Sequence, residues 1–323
     1  MERRTFLAMV SGSLLAAPLA AEAQQTAKVW RIGHLVFGAC PGSDSPFQRA
    51  LQDLGYITGQ NLVVECRSAN EDYGRLPVAA SELVALKVHV IVALNHPTAR
   101  AAQQTTQTVP IVMVASGDPV GAGLVASLRH PGGNVTGLSY YATELTAKRL
   151  ELLSQSMPGV TRIAVLTNPA LAYLPFTQDT KAAARQLGIQ PIFLEVRTPQ
   201  DIDRAFDTMA KERPDAVFIL PDPMLVRHAK RICDLALKYR LPTMAWDKVF
   251  VSAGGLMVYA ADYQAMARRA ATYVDKILKG AKPSDLPIEQ PTKFELVINL
   301  KTATRMGLTV PQSVLDRADR LVR

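Results

Sequence analysis

The sequence predicts an α/β fold of two doubly wound parallel-sheet lobes joined by a three-segment hinge. Three observations carry this reading. From Arg31 onward, short β-branched apolar runs alternate with segments whose apolar residues recur at i, i+3, i+4 and i+7. The series restarts in the second half at an offset of about 130 residues: 29–33 resembles 160–164, and 54–56 followed by 62–65 resembles 187–189 followed by 192–195. The length of 323 residues is large for one core and natural for two.

The elements follow in order. Strands are expected over 31–37, 62–67, 88–94 and 111–115. Phe47, Ala50, Leu51 and Leu54 mark one helix between them, and Leu76, Ala79, Ala80 and Leu83 mark another. The strand runs are nearly continuous apolar stretches, as parallel strands covered by helices on both faces require. An extended segment over 135–140 joins the halves. In the second half Ile202, Ala205, Phe206 and Met209 mark a helix, and 216–220 and 241–246 read as strands around a helix at about 227–239. Gly254 and Gly255 lead into a strand ending at Tyr259. A long helix follows, with Met266, Ala270, Tyr273, Val274, Ile277 and Leu278 on one face and Gly280 as its stop. Pro283, Pro287 and Pro291 punctuate an extended segment, then a strand over 294–299 and a short helix close the chain. The implied division is a leader at 1–23, one lobe of 28–137 plus 260–286, and a second of 138–259 plus 287–323. Crossings near 135–140, 255–260 and 287–293 form the hinge.

The leader has the parts of a secretory signal peptide. Arg3 and Arg4 make a positive start, an apolar stretch runs from Phe6 to Leu19, and Ala21-Glu22-Ala23 has the small-x-small form of a cleavage site before Gln24. Arg3-Arg4-Thr5-Phe6-Leu7 also fits the twin-arginine export pattern. The expected location is the bacterial periplasm. Lys plus Arg total 36 against 28 for Asp plus Glu, a formal net charge of +8. No basic run of five or more residues occurs, so the charge reads as a solvated basic surface and no nucleic-acid partner is expected.

In open α/β sheets, ligands bind beyond the carboxyl ends of the strands. Two lobes facing each other give a cleft lined by those ends. The first offers Phe37, Asn95, His96, Thr98, Ser116 and Asp118; the second offers Asn168, Asp222, Trp246 and Asp247, with Tyr140 on the joining segment. Hydroxyls, amides, carboxylates and an aromatic ring in one cleft suit a small polar or zwitterionic solute. Structural duties compete at the same positions. Asp118 and Asp222 precede proline, which suits a turn. Asn95 or His96 can cap the helix behind Pro97. Trp246 can be core, and Tyr140 can pack the crossing. No dinucleotide fingerprint, P-loop, HExxH or GxSxG occurs, so no cofactor, metal or motif-borne catalytic residue is expected.

Cys233 falls among Leu225, Ala229, Ile232 and Ala236 on a helical pattern, the place of a small core residue. Cys66 closes the second expected strand and Cys40 lies three residues past the first. If those strands are neighbours, both sulfurs reach the same sheet edge, and an oxidising compartment permits a bridge; two unpaired thiols fit the sequence as well.

Five segments carry a resemblance to a known family: GDPVGAGLVASLRHPGGNVTGLS from Gly117 to Ser139, KRLELL from Lys148, LPDP from Leu220, AGGLMVY from Ala253, and KILKGAKPSDLPIEQPTKFELVINLKTA from Lys276. Together they resemble the ABC-transporter substrate-binding proteins, in the branch with tryptophan- and tyrosine-binding members, from about Trp30 to the end of the chain. The resemblance implies a type I periplasmic-binding-protein fold. It also implies two hinged lobes that take a small solute between them and deliver it to a membrane permease and its ATPase. The chain is expected to be a monomer, and its solute an aromatic amino acid, a branched-chain one or an aromatic acid. The alternative is a secreted enzyme on a related two-lobed scaffold.

Overall fold

The computed structural model describes residues 28–323 apart from Tyr141, Ala142 and Tyr173. The leader expected at 1–23 lies outside the described residues.

Two parallel sheets organise the chain. The first is assembled from β1 (Trp30–Val36), β2 (Leu62–Ser68), β3 (Val90–Ala93), β4 (Ile111–Ser116) and β5 (Val135–Ser139) in the order β2-β1-β3-β4-β5. Side-chain alternation along these strands feeds two separate cores. Ile32, Val90, Val92, Val112 and Val114 face α1 (Pro46–Asp53) on one side. Leu35, Ile91, Ala93, Ile111 and Met113 face α2 (Leu76–Ala85) and α3 (His96–Thr105) on the other.

The second sheet takes β6 (Arg162–Thr167), β7 (Gln190–Glu195), β8 (Ala216–Ile219), β9 (Thr243–Ala245), β10 (Met257–Ala261), β11 (Phe294–Asn299) and β12 (Arg320–Val322) in the order β12-β11-β10-β9-β8-β6-β7. One face carries α4 (Thr143–Ser156), α5 (Phe176–Gln186), α11 (Leu300–Met306) and α12 (Gln312–Leu315). The other carries α6 (Pro199–Glu212), α8 (Ala229–Lys238) and α9 (Lys248–Ser252). All its pairings are parallel except β10 with β11. The helix expected around 227–239 is α8, and a separate short helix, α7 (Pro223–Arg227), precedes it and ends at His228, where φ −103° and ψ 18° break the run. β9 is also shorter than the 241–246 expected, because Leu241 and Pro242 form the loop that enters it.

The remaining helix, α10 (Tyr263–Leu278), leaves the second sheet after β10 and packs on the first. Asp262 caps it, accepting from the Ala265 N–H at 3.0 Å. Its buried face of Met266, Ala267, Ala270, Ala271, Tyr273, Val274, Ile277 and Leu278 completes the core that α1 begins. The sheets extend slightly past the boundaries read from the sequence, β5 to Ser139 in the first and β10 to Ala261 in the second.

The crossings lie side by side. The segment after α10 runs along β5: Ser139 N–H donates to the Glu289 carbonyl and Glu289 N–H to the Gly137 carbonyl, both at 3.0 Å. Arg269 of α10 grips the Glu289 carboxylate with two hydrogen bonds, at 2.8 and 2.6 Å. Gly137 adopts φ +122° where β5 slips register against β4, and a Cβ there would stand 2.2 Å from the Met113 carbonyl oxygen. Only glycine fits that position.

Tyr273 is 1% exposed, and its hydroxyl donates to the Pro287 carbonyl at 2.6 Å. It therefore locks α10 to the third crossing. Tyr273→Ala should lower stability by about 3–5 kcal/mol, and Tyr273→Phe by about 1 kcal/mol, in denaturant unfolding. A similar loss in both variants would mean that the hydroxyl, and not ring burial, dominates.

His34 is buried on β1 edge-on to Phe47, and neither ring nitrogen has a hydrogen-bond partner among the described residues. Burial lowers its pKa to about 4. Unfolded, it titrates near 6.5. Above that value both states are neutral and no penalty exists. As pH falls from 6.5 toward 4, the unfolded chain takes a proton that the folded chain refuses, so stability falls by up to about 3 kcal/mol. His34→Leu should lose less stability than the unsubstituted chain between pH 7.5 and 4.5, measured by urea midpoints at each pH. Equal losses would exclude His34 as a source.

Candidate functional site

The carboxyl ends of both sheets open onto one cavity of about 660 Å³. From the first sheet come Phe37, Gly38 and Ala39 after β1, residues 94–97 after β3, Ala115 of β4 and Tyr140 after β5. From the second come residues 221–223 after β8, 246–249 after β9, and 261–264 after β10. Arg149 of α4 and Phe294 of β11 fill the wall between them.

The loops are fixed by helix caps. Asn95 opens α3 in a reciprocal box, its amide oxygen accepting from Thr98 N–H at 3.2 Å while Thr98 Oγ1 accepts from Asn95 N–H at 3.1 Å. Asp222 opens α7 through Leu225 N–H at 2.8 Å, and Asp247 opens α9 through Val249 N–H at 2.8 Å. A proline follows Asn95-His96 and Asp222 at the start of each helix, where its missing N–H costs nothing. The caps therefore stand on the cavity wall, and the two readings open at Asn95, Asp222 and Asp247 are compatible.

Of the residues selected from sequence, the structure brings Phe37, Asn95, His96, Tyr140, Asp222, Trp246 and Asp247 together on the cavity. Four others do not line it. Thr98 is fully buried in its capping box. Ser116 is fully buried one layer back, hydrogen-bonded to His96 Nδ1 at 2.7 Å. Asp118 spends Oδ1 on the N–H groups of Val120 and Gly121, the turn duty its Asp-Pro setting suits. Asn168 caps the 3-10 turn Pro169–Leu171 through Ala170 N–H. Arg149, Lys248, Tyr263 and Phe294 line the cavity and were not foreseen. Of these, Phe294 opened an expected strand, and Arg149 stands in the KRLELL segment that carries the family resemblance, but nothing in that segment marks it as buried or cavity-facing.

The wall is aromatic and bipolar. Tyr140 and Trp246 stack with centroids 5.3 Å apart and planes 19° apart. The Trp246 indole N–H is buried without a hydrogen-bond partner among the described residues. Burial pushes the Asp247 carboxyl up, against the Val249 N–H and the Lys248 charge. Burial also raises Asp222, against the Leu225 N–H and the Tyr73 hydroxyl. Burial lowers the Arg149 guanidinium to about 10, which leaves it charged near neutrality. His96 is lowered to about 3, first by burial and then by Arg100, so it acts as a neutral hydrogen-bonding group.

Residues of the first lobe also touch those of the second at the cavity edge. The Tyr73 hydroxyl donates to Asp222 Oδ2 at 2.8 Å, and Arg227 Nε donates to Glu71 Oε1 at 2.8 Å. Phe37 packs on Tyr73 with centroids 4.3 Å apart. The lip that carries Glu71 and Tyr73 is held to the strand behind it: Glu71 N–H donates to the Phe37 carbonyl at 2.9 Å, and Ser68 Oγ donates to the Gly38 carbonyl. Asn70 and Glu71 both adopt the left-handed region, φ 51° and 67°. Cys40 and Cys66 form a disulfide with Cα atoms 6.1 Å apart, joining the Phe37–Ala39 side of the cavity to β2.

The described chain is similar to known proteins throughout. The family model for ABC transporter substrate binding proteins matches residues 42–322. A tyrosine-binding protein of Clostridioides difficile (strain R20291) is 29% identical over 263 residues, 81% of this chain and 75% of that protein. A conserved domain protein from Vibrio cholerae O1 biovar eltor superposes with a TM-score of 0.84 at 29% identity, over 91% of this chain and 100% of that one. An ABC domain from Streptococcus pneumonia, solved in complex with L-Trp, gives a TM-score of 0.83 at 26% identity, again over 91% and 100%.

The disulfide closes a separation of 26 residues, for which the chain-entropy model gives about 3 kcal/mol. Reduction, or Cys66→Ser, should lower the midpoint of thermal unfolding accordingly. An unchanged midpoint under reducing conditions would mean that the unfolded state does not gain freedom from the cut.

Proposed function

The chain belongs to the ABC transporter substrate-binding protein family, and from that premise we propose that its solute is a free aromatic amino acid held in the cavity between the lobes. As a member of that family it serves an ABC transporter, delivering a small molecule to a permease. The observation that carries the finer reading is the composition of the wall: the stacked Tyr140–Trp246 pair beside a half-buried carboxylate, Asp247, and a buried guanidinium, Arg149. An aromatic side chain suits the stacked rings and a zwitterion suits the two charges. The relatives named for tyrosine and solved with L-Trp support the same class. The relatives are binding proteins, and no observation favours the secreted enzyme.

On this reading the lobes, one built on the first sheet with α10 and the other on the second sheet, rotate about the three crossings. Solute that touches both lobes adds contacts only when they are closed, and that difference in affinity shifts the population. The lip contacts of Tyr73 with Asp222 and Glu71 with Arg227 belong to the closed arrangement. The leader at 1–23 delivers a monomer to the periplasm, cleaved before Gln24. No described helix is long and apolar enough to cross a membrane.

Thermal-shift and calorimetric titration with L-tyrosine, L-tryptophan, L-leucine and benzoate tests the solute class. An aromatic amino acid at a hundred times its Kd should stabilise the protein by about 2.7 kcal/mol. L-Leucine and benzoate should do so far less. Trp246→Ala should weaken aromatic binding at least about tenfold while the unfolding transition remains cooperative. Stronger stabilisation by leucine or benzoate than by either aromatic amino acid would overturn the reading.

A further inference from the structure

We propose that Arg149 makes a carboxylate on the solute obligatory: it is the residue by which this cleft distinguishes acids from their neutral and amine analogues. The proposal rests on the solute-binding reading above and adds to it the group that must be recognised.

Arg149 is 4% exposed and lies on the cavity wall, two turns into α4. Its Nε donates to the Tyr259 carbonyl of β10 at 2.9 Å. That bond fixes the plane of the guanidinium and leaves the Nη groups for another acceptor. No carboxylate among the described residues lies within ion-pair distance of it. The other cations of the wall differ. Arg227 is paired with Glu71 and Lys248 with Glu295, and Arg320 is exposed on the last strand. Among the described residues of this cavity, Arg149 alone is a buried cation with no counter-charge.

A charge taken out of water is costly unless it is paired, and a guanidinium does not escape the cost by losing its proton. Its planar fork matches the two oxygens of a carboxylate. The solute therefore supplies the missing counter-ion. An amine such as tyramine brings a second positive charge beside Arg149, and an ester or amide brings only a neutral acceptor. Arg149 also ties α4, which follows the first crossing, to β10, after which the chain returns to the first sheet as α10. The acid group is thus bound where the two lobes meet.

Calorimetric titration of L-tyrosine, L-tryptophan, tyramine, tryptamine and L-tyrosine methyl ester against the unsubstituted protein, Arg149→Lys and Arg149→Gln tests this. The unsubstituted protein should bind the acids at least about thirtyfold more tightly than the amines or the ester. Arg149→Gln should weaken acid binding by a similar factor, bring the acid-to-ester ratio near one, and unfold without ligand at a temperature no lower than the unsubstituted protein. Arg149→Lys should keep part of the preference. Equal affinity of the unsubstituted protein for L-tyrosine and its methyl ester overturns the proposal, whether or not the variants fold. If no aromatic amino acid binds, a thermal-shift panel of carboxylates and matched uncharged compounds separates the two claims. A non-aromatic carboxylate whose binding depends on Arg149 keeps this proposal and removes the aromatic reading; a best ligand without an anionic group removes this proposal.

Discussion

Parallel strand pairing is the constraint on which the rest of the molecule depends. A chain that pairs its strands in parallel must cross back each time, and in the first sheet it does so along a helix everywhere but between β4 and β5. Every strand of the first sheet then ends on the same edge, and the same holds for most of the second. The two edges face one cavity. The loops after β3, β8, β9 and β10 are short because each runs directly into a helix, so residues that line the cavity are also residues that start helices. Asn95, Asp222, Asp247 and Asp262 each use one side-chain oxygen on a helix N-terminus and stand on the cavity wall.

This double use has an electrostatic consequence. Buried carboxylates are destabilised as ions, yet helix N–H groups offset part of that cost at Asp222 and Asp247. The negative side of the cleft is thus built from charges the fold already stabilises. The positive side has no such support at Arg149, where one backbone carbonyl is the only hydrogen-bond partner among the described residues. The cleft is balanced for its acidic groups and unbalanced for its one buried arginine.

Much of this was legible in the sequence because it follows from periodicity. The alternation of apolar runs with amphipathic segments gave the two sheets, and residues just past the runs gave most of the aromatic and acidic wall. The errors have local causes. Thr98 and Ser116 lie within a residue or two of the true edge, and the direction of a side chain there depends on turn geometry that composition does not encode. The Asp118 side chain is taken by its own turn. Strand direction carries no compositional mark, so the antiparallel β10–β11 pair was invisible. Arg149 was invisible for another reason. It sits in a helix beside Leu150, Leu152 and Leu153, and an arginine in such a stretch reads as the solvated face. Its burial is set by β10, more than a hundred residues away, whose carbonyl it bonds.

The route of α10 bears on how the protein is made. The first sheet is finished by Ser139, but the helix that seals one of its faces ends at Leu278. The second sheet is also incomplete until β11 and β12 are in place. As the chain emerges from its N-terminus, Ile32, Val90, Val92, Val112 and Val114 have only α1 to cover them until α10 follows, so neither lobe can close its core early. Contacts of such long sequence separation are slow to form and leave apolar surface exposed while they wait. The two lobes are therefore not independent modules threaded on a hinge. They are born together, near the end of synthesis, and a chain cut between them would leave two unfinished halves.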